Sequence, residues 1–310
     1  MFGAVIYQHP LAYLIGVEGQ ALLRGWAGDY DEDFVKARLA EVRRLIDDPV
    51  LANHPGVDVA RGGLDDGYQQ WAATYDEPRN GLFDLDEPIM HAILDEFPTG
   101  AALDAACGTG RLASSLVARG HHVIGVDSSP DMLAVARRRL PTAEFLLGEI
   151  ENLPVPDDSF DVVTCGLALS HLSSVGTAML EFARVLRPGG HLVISDVSAE
   201  LILRGSVVHA LGPDGEPGLV PTFRHSTGDH LRAALSAGLE IRAYKEPGLE
   251  DHESTLDADR EPKEAPGVEN AGLGIGPWGD WPWSLMPLIP EAMQTGEGPP
   301  IVVWHLQLPD

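Results

Sequence analysis

The stretch Leu103-Asp104-Ala105-Ala106-Cys107-Gly108-Thr109-Gly110-Arg111-Leu112 decides how this chain is read. A short apolar run leads into two glycines one residue apart, and an amphipathic pattern starts directly behind them. Glycine lets the backbone turn tightly and lets a ligand approach without meeting a Cβ atom. The first N–H groups of a helix lack intrahelical partners and carry partial positive charge. Strand, glycine turn and helix N-terminus together therefore make a place for a nucleotide-like cofactor. Taken literally, Gly108 to Ala113 fits the dinucleotide pattern G-x-G-x-x-G/A, with Asp127 arriving about twenty residues later. Asp104 argues against that ligand, because a carboxylate at the end of the strand repels a pyrophosphate. The same carboxylate suits the ammonium of an amino-acid-like cofactor, held directly or through water.

Outward from the turn, the hydrophobic pattern alternates. Strands are predicted at 101–106, 122–127, 144–147, 161–165 and 191–196, with helices at 110–119, 130–139 and 175–186 between them. Pro130 suits a first helical turn, and Pro188-Gly189-Gly190 breaks the pattern before the next strand. Such alternation predicts a parallel sheet with helices on both faces. A helix at 229–237 and strands at 239–244 and 301–306 follow.

Three further segments stand behind the glycine turn. They are Gly148-Glu149-Ile150-Glu151-Asn152-Leu153-Pro154, then Asp158-Ser159-Phe160-Asp161-Val162-Val163, then Leu186-Arg187-Pro188-Gly189-Gly190-His191-Leu192-Val193. With these motifs in order, residues 68–244 resemble the class I S-adenosylmethionine-dependent methyltransferases, in the branch that acts on quinones, sugars and natural products. Ala106 departs from the family, which more often has the first glycine of its loop there. The resemblance implies an α/β, Rossmann-like, seven-stranded and mostly parallel sheet, with an antiparallel last strand and helices on both faces. It implies S-adenosyl-L-methionine as cofactor and methyl transfer to a small-molecule acceptor, on oxygen or nitrogen rather than carbon. No acid follows the fourth strand at Cys165-Gly166-Leu167, unlike the metal-dependent catechol-type enzymes, so no metal is expected.

The resemblance also assigns residues. The loop atoms come from Asp104, Ala106, Cys107, Gly108 and Gly110. Asp127 offers two acceptor oxygens to the ribose hydroxyls; Ser128 and Met132 flank ribose and adenine, Glu149 and Ile150 read the adenine edge, and Cys165 ends the neighbouring strand. Tyr68 and Tyr75 lie seven apart on a predicted helix, hence on one face, with the Tyr75-Asp76 pair matching a family phenol that closes over the methionine end of the cofactor. Candidate bases are His171, in the loop after the fourth strand, and His225, after the fifth. The sequence leaves the choice between them open.

Composition bounds the partners. The chain has 310 residues, 44% of them hydrophobic, and a net charge of −26 from 47 acidic and 21 basic residues. Such a surface repels phosphate backbones, so no nucleic acid partner is expected. The densest basic run, Arg137-Arg138-Arg139, reads as a solvated helix end. Only Cys107 and Cys165 occur, which fits a reducing compartment without disulfides. With no leader or membrane span visible, a cytoplasmic location is expected.

Two regions lie outside the resemblance. Residues 1–66 read as helices, with Asp33 as an N-cap and a linker at 54–67, serving as a lid or as an oligomer contact such as a homodimer's; residues 67–310 form the main domain. Within it, residues 246–300 make an insertion between the last two strands, acidic in its first half and holding Trp278, Trp281 and Trp283 in its second. Because the strand before it ends on the ligand face and the antiparallel strand after it starts there, this insertion is expected near the acceptor, its tryptophans either walling the acceptor or pinning the insertion in place. Two other functions fit the same residues: an NAD-dependent oxidoreductase, and a methyltransferase fold acting as a cyclase or binding protein.

Overall fold

Runs such as Val162-Val163-Thr164-Cys165 are buried along their whole length, the pattern of a strand covered by helices on both faces. A computed structural model describes residues 5–62, 67–69, 72, 75–76, 81–211, 215–247, 275–295 and 298–310. Its strands are β1 (Ile6–Gln8), β2 (Val57–Arg61), β3 (Ala101–Ala105), β4 (His122–Asp127), β5 (Glu144–Leu147), β6 (Phe160–Gly166), β7 (Leu186–Val197), β8 (Val208–Leu211), β9 (Pro217–Val220), β10 (Glu240–Lys245) and β11 (Ile301–Gln307). Seven of them make one sheet in the order β10-β11-β7-β6-β3-β4-β5. Strands β3 to β7 run parallel, and β11 is antiparallel to both β7 and β10.

This order fixes where a ligand goes. From β3 the chain steps outward to β4 and β5, then returns to the other side of β3 for β6 and β7. The reversal leaves a crevice at the carboxyl ends of β3 and β6, where helices diverge to opposite faces. Along β3, Leu103 and Ala105 join one apolar layer with Phe182 and Met179, while Ala102 joins the other with Met90 and Leu116. The predicted helices appear at Arg111–Ala118, Pro130–Arg139, Gly176–Val185 and Thr227–Ser236. Strand β7 starts earlier than expected, at Leu186, with a register shift opposite Phe160.

The chain clusters into two compact units, one of residues 63–203, 221–253 and 299–310, the other of residues 1–62, 204–220 and 254–298. The first holds the seven-stranded sheet. The second contains an unexpected four-stranded sheet, β1-β2-β9-β8. The stretch read as a linker at 54–67 contains β2, whose partners are β1 and, across more than 150 residues, β9. In the helix Glu32–Asp47 the cap is Asp31, accepting the Phe34 N–H at 2.9 Å, rather than Asp33. Among the described residues no helix is long and apolar enough to cross a membrane.

The described part of the 246–300 insertion packs within the second unit. Leu14, Val17 and Ala21 of the helix Pro10–Ala27 share a core with Leu45, Trp281, Leu285 and Ile289. Trp278 donates its indole N–H to Gln8 at 2.7 Å, Trp281 donates to the Ile275 carbonyl at 3.2 Å, and Trp283 is exposed. Beside this core the buried Arg38 bridges the fully buried Glu18, at 2.8 Å, and Glu291. Truncating Trp281 to Ala is therefore expected to destabilise this unit by about 3–5 kcal/mol, the range for emptying a large core site. Chemical denaturation measures it; a loss below about 1 kcal/mol would show that Trp281 is not part of a load-sharing core.

Candidate functional site

The glycine turn is built on left-handed backbone. Ala106 and Gly108 both have φ of 53°, and Gly110 has φ of 82°. For Ala106 this conformation costs roughly 1–2 kcal/mol, which a glycine avoids. The Cys107 N–H reaches the Val126 carbonyl at 2.9 Å, extending the β3–β4 pairing into the turn. Asp127 then forks across it: Oδ2 accepts the Gly108 N–H at 2.7 Å and Oδ1 accepts the Ser129 N–H at 2.9 Å. One carboxylate thus fixes both the glycine turn and the start of the helix Pro130–Arg139. Ser129 caps that helix, accepting the Met132 N–H at 3.3 Å, and Ser128 lies between it and Asp127. The Gly148 N–H bonds the Asp127 carbonyl at 3.0 Å, so exposed Glu149 and buried Ile150 follow directly beside Asp127.

Asp104 lies beneath the turn and is almost fully buried. Its Oδ2 accepts the Ala113 N–H at 2.8 Å and its Oδ1 accepts the Thr164 hydroxyl at 2.9 Å. It therefore ties β3 to the helix Arg111–Ala118 and to β6, besides lining the crevice. Burial pushes its pKa up to about 7, against the opposing pull of those two hydrogen bonds. Arg111 was not singled out by the sequence reading. Its guanidinium grips Asp86 with two 2.8 Å contacts, meets Glu87 at 3.1 Å, and lies over the Phe83 ring. Ser195 of β7 donates to the same Asp86 at 2.7 Å. A cation in the first turn of a helix opposes the macrodipole, and that was the available signal for a specific partner.

Tyr75 lies against the turn, with its ring 4.0 Å from the position a Cβ on Gly108 would take. It sits in a turn, not on one helix face with Tyr68 as expected, though the two rings are 6.2 Å apart. Trp71, expected on the same face, lies outside the described residues. Asp76 pins this segment: Thr109 donates to it at 2.8 Å and Arg139 forms an ion pair with it. Arg139 is thus a structural partner and not a solvated helix end. The space enclosed by Tyr75, Asp104, Ala106 to Thr109, Arg111, Leu112 and Gly166 is about 20 Å³, room for about one water. Burial raises the Tyr75 phenol to about 12.

Tyr68 continues outward to His171. Its hydroxyl lies 2.7 Å from His171 Nε2, and His171 Nδ1 lies 2.9 Å from the Pro221 carbonyl. A carbonyl only accepts, so Nδ1 carries the proton and Nε2 accepts from the phenol. Burial lowers the His171 pKa and raises that of Tyr68, which keeps both neutral. The structure thus brings Asp104, Ala106, Cys107, Gly108, Gly110, Asp127, Tyr75, Tyr68 and His171 into one continuous site. His225 stands apart: its Nε2 bonds the Leu172 carbonyl at 2.8 Å and its ring lines a different cleft. The Cys165 side chain faces the apolar core, away from the crevice, and Met132 is fully buried. Burial pushes both thiols well up, so neither Cys107 nor Cys165 is a reactive thiolate.

A parallel sheet with this strand order, this turn and an acidic residue ending the second strand defines a class I methyltransferase fold. Residues 103–194 match the family described as "Methyltransferase domain". The malonyl-[acyl-carrier protein] O-methyltransferase of Yersinia pestis is 34% identical over 147 residues, 46% of this chain and 54% of that protein. The demethylmenaquinone methyltransferase of Chlorobaculum tepidum is 47% identical over 89 residues, 28% of this chain and 37% of the relative. The chain thus spans about half or less of these relatives' length. A solved S-adenosylmethionine-dependent methyltransferase from Mesorhizobium loti shares the fold with a TM-score of 0.50 at 20% identity, covering 71% of this chain and 96% of that one. Residues 103–194 thus match a methyltransferase domain, carried on the fold of a class I methyltransferase.

Because the Asp104 pKa is raised above its unfolded value of 3.8, the folded protein retains a proton between about pH 4 and 7 that the unfolded chain releases. Stability then falls as pH rises through that window. Relative to wild type, Asp104→Asn is expected to gain on the order of 2–4 kcal/mol between pH 4 and pH 8. Urea denaturation of cofactor-free protein at both pH values measures this, and equal differences at the two would contradict it.

Proposed function

We propose that this protein transfers a methyl group from S-adenosyl-L-methionine to a small-molecule acceptor, on oxygen or nitrogen, without a metal. The carrying observation is the Asp127 fork across the left-handed turn, which presents an anchored carboxylate at the switch point of the sheet. The residues fit the cofactor chemically. Asp127 would take the ribose hydroxyls, Ile150 and Met132 would border the base, and Asp104 would face the cationic amino-acid end. When bound, the cofactor supplies an electrophilic methyl group on a sulfonium. Tyr75, whose ring lies against Gly108, would border the methionine end. A cation beside Asp104 favours the ionised carboxylate, so cofactor binding should tighten as pH rises through about 7.

The Tyr68–His171 pair supplies the proton acceptor. As the acceptor group attacks, its proton passes to the Tyr68 oxygen while the Tyr68 proton moves to His171 Nε2. Nδ1–H stays on the Pro221 carbonyl throughout and stabilises the imidazolium that forms. The acceptors named for the relatives, a malonyl thioester and a demethylated quinone, mark the range to assay first.

The test is release of S-adenosylhomocysteine on incubation with such acceptors in the presence of EDTA. Turnover is expected to persist, and loss restored by Mg²⁺ would remove the metal-free reading. His171→Gln should lower kcat by about 10²–10⁴-fold and leave S-adenosylhomocysteine affinity within a few-fold. Because burial lowers the His171 pKa, the acid limb of the kcat profile should lie below about pH 6.5, with activity lost as the ring protonates. An unchanged kcat in His171→Gln would assign the proton acceptor elsewhere.

A further inference from the structure

A cleft of about 490 Å³ opens next to the loop that carries His171, and nothing in the scheme above uses it. One wall is Ser173, Ser174 and the start of the helix Gly176–Val185; the other is Arg224 and His225 with Asp229 and Arg232. In a chain with 21 basic residues against 47 acidic ones, two arginines on one cleft call for a reason. Arg232 is ion-paired with Asp229, whose carboxylate also accepts the Ser226 N–H at 2.9 Å and the Ser226 hydroxyl at 2.6 Å. Arg224 has no ion pair and no side-chain hydrogen bond among the described residues, so the cleft carries one uncompensated positive charge.

His225 lines the same cleft, and its Nδ1 is not sealed from it. Nε2 donates to the Leu172 carbonyl at 2.8 Å, while Nδ1 has no partner among the described residues. The helix Gly176–Val185 receives no side-chain cap at its N-cap residue, Val175; only the Gly176 N–H is met, by the Ser174 hydroxyl at 3.3 Å. A guanidinium without an ion pair, an imidazole nitrogen open to the cleft, a serine hydroxyl at Ser173 and a helix N-terminus thus line one space. The only carboxylate on its walls is already engaged.

We infer that this cleft binds a small oxyanion, a carboxylate or a phosphate group. Arg224 supplies the charge, and Ser173, the helix N-terminus and His225 supply hydrogen-bonding groups. Ser173 is two residues from His171, a chain distance of about 7 Å at most. On the methyl-transfer reading, then, the occupant is the anionic end of the acceptor, anchored while its other end meets Tyr68 and His171. Anion binding itself does not depend on that reading.

Calorimetric titration of the full chain with inorganic phosphate, and separately with succinate, tests the inference. At least one should bind, and Arg224→Gln should weaken it about tenfold. His225→Gln should weaken the same anion, and Arg224→Gln should leave the melting temperature and S-adenosylhomocysteine affinity unchanged. Binding of phosphate alone identifies a phosphorylated ligand; binding of succinate alone identifies a carboxylate. Failure of both anions to bind, or equal affinity in Arg224→Gln, overturns the site. Anion binding that Arg224→Gln removes, in a protein that does not bind S-adenosylhomocysteine, upholds the cleft and removes the methyl-transfer reading.

Discussion

A buried carboxylate at the end of the central strand is the constraint on which the rest of the site depends. Asp104 is held where water cannot reach it, and only the Ala113 N–H and the Thr164 hydroxyl offset that burial. Those two bonds are also what sets the helix Arg111–Ala118 and strand β6 in place around β3. With three elements fixed to one side chain, the connection above it has only a few residues in which to turn. It does so through left-handed backbone at Ala106, Gly108 and Gly110. The turn in turn exposes the N–H that Asp127 takes up, so the two carboxylates act in series. The first sets the floor of the crevice, and the second sets its rim.

A second tier of charge pairs locks the surroundings. Arg111 holds Asp86, and Asp86 accepts from Ser195, which links the glycine-turn helix to the helix Gly81–Leu94 and to β7. Arg139 and Thr109 hold Asp76 and so place Tyr75 over Gly108. From there the rings of Tyr75, Tyr68 and His171 form a chain outward from the glycine turn, with the imidazole tautomer fixed by one proline carbonyl. Pro221 lacks an N–H of its own, but its carbonyl does the orienting.

Much of this was legible in the sequence because it is local. Strands β4 and β5 and the helix Pro130–Arg139 announce themselves through apolar runs and a first-turn proline within a few residues of one another. Asp127 is legible in part: one of its backbone donors, Ser129, lies two residues ahead, while the other, Gly108, stands 19 residues back on the neighbouring turn. What escaped notice depends on distant partners. Strand β2 has meaning only beside β9, and Trp281 only beside the helix Pro10–Ala27. Arg111 looks like any exposed helix arginine until Asp86 is brought to it. The pairing of Tyr68 with His171 spans 103 residues, and the pattern of neither neighbourhood carries its trace.

The central claim is that Asp127 anchors an adenosyl cofactor at this turn. Calorimetric titration of S-adenosylhomocysteine into wild type and Asp127→Ala, with circular dichroism confirming that both are folded, tests it most directly. Loss of two charge-assisted hydrogen bonds is expected to weaken binding by roughly 100-fold or more. A folded Asp127→Ala protein with wild-type affinity would contradict the account.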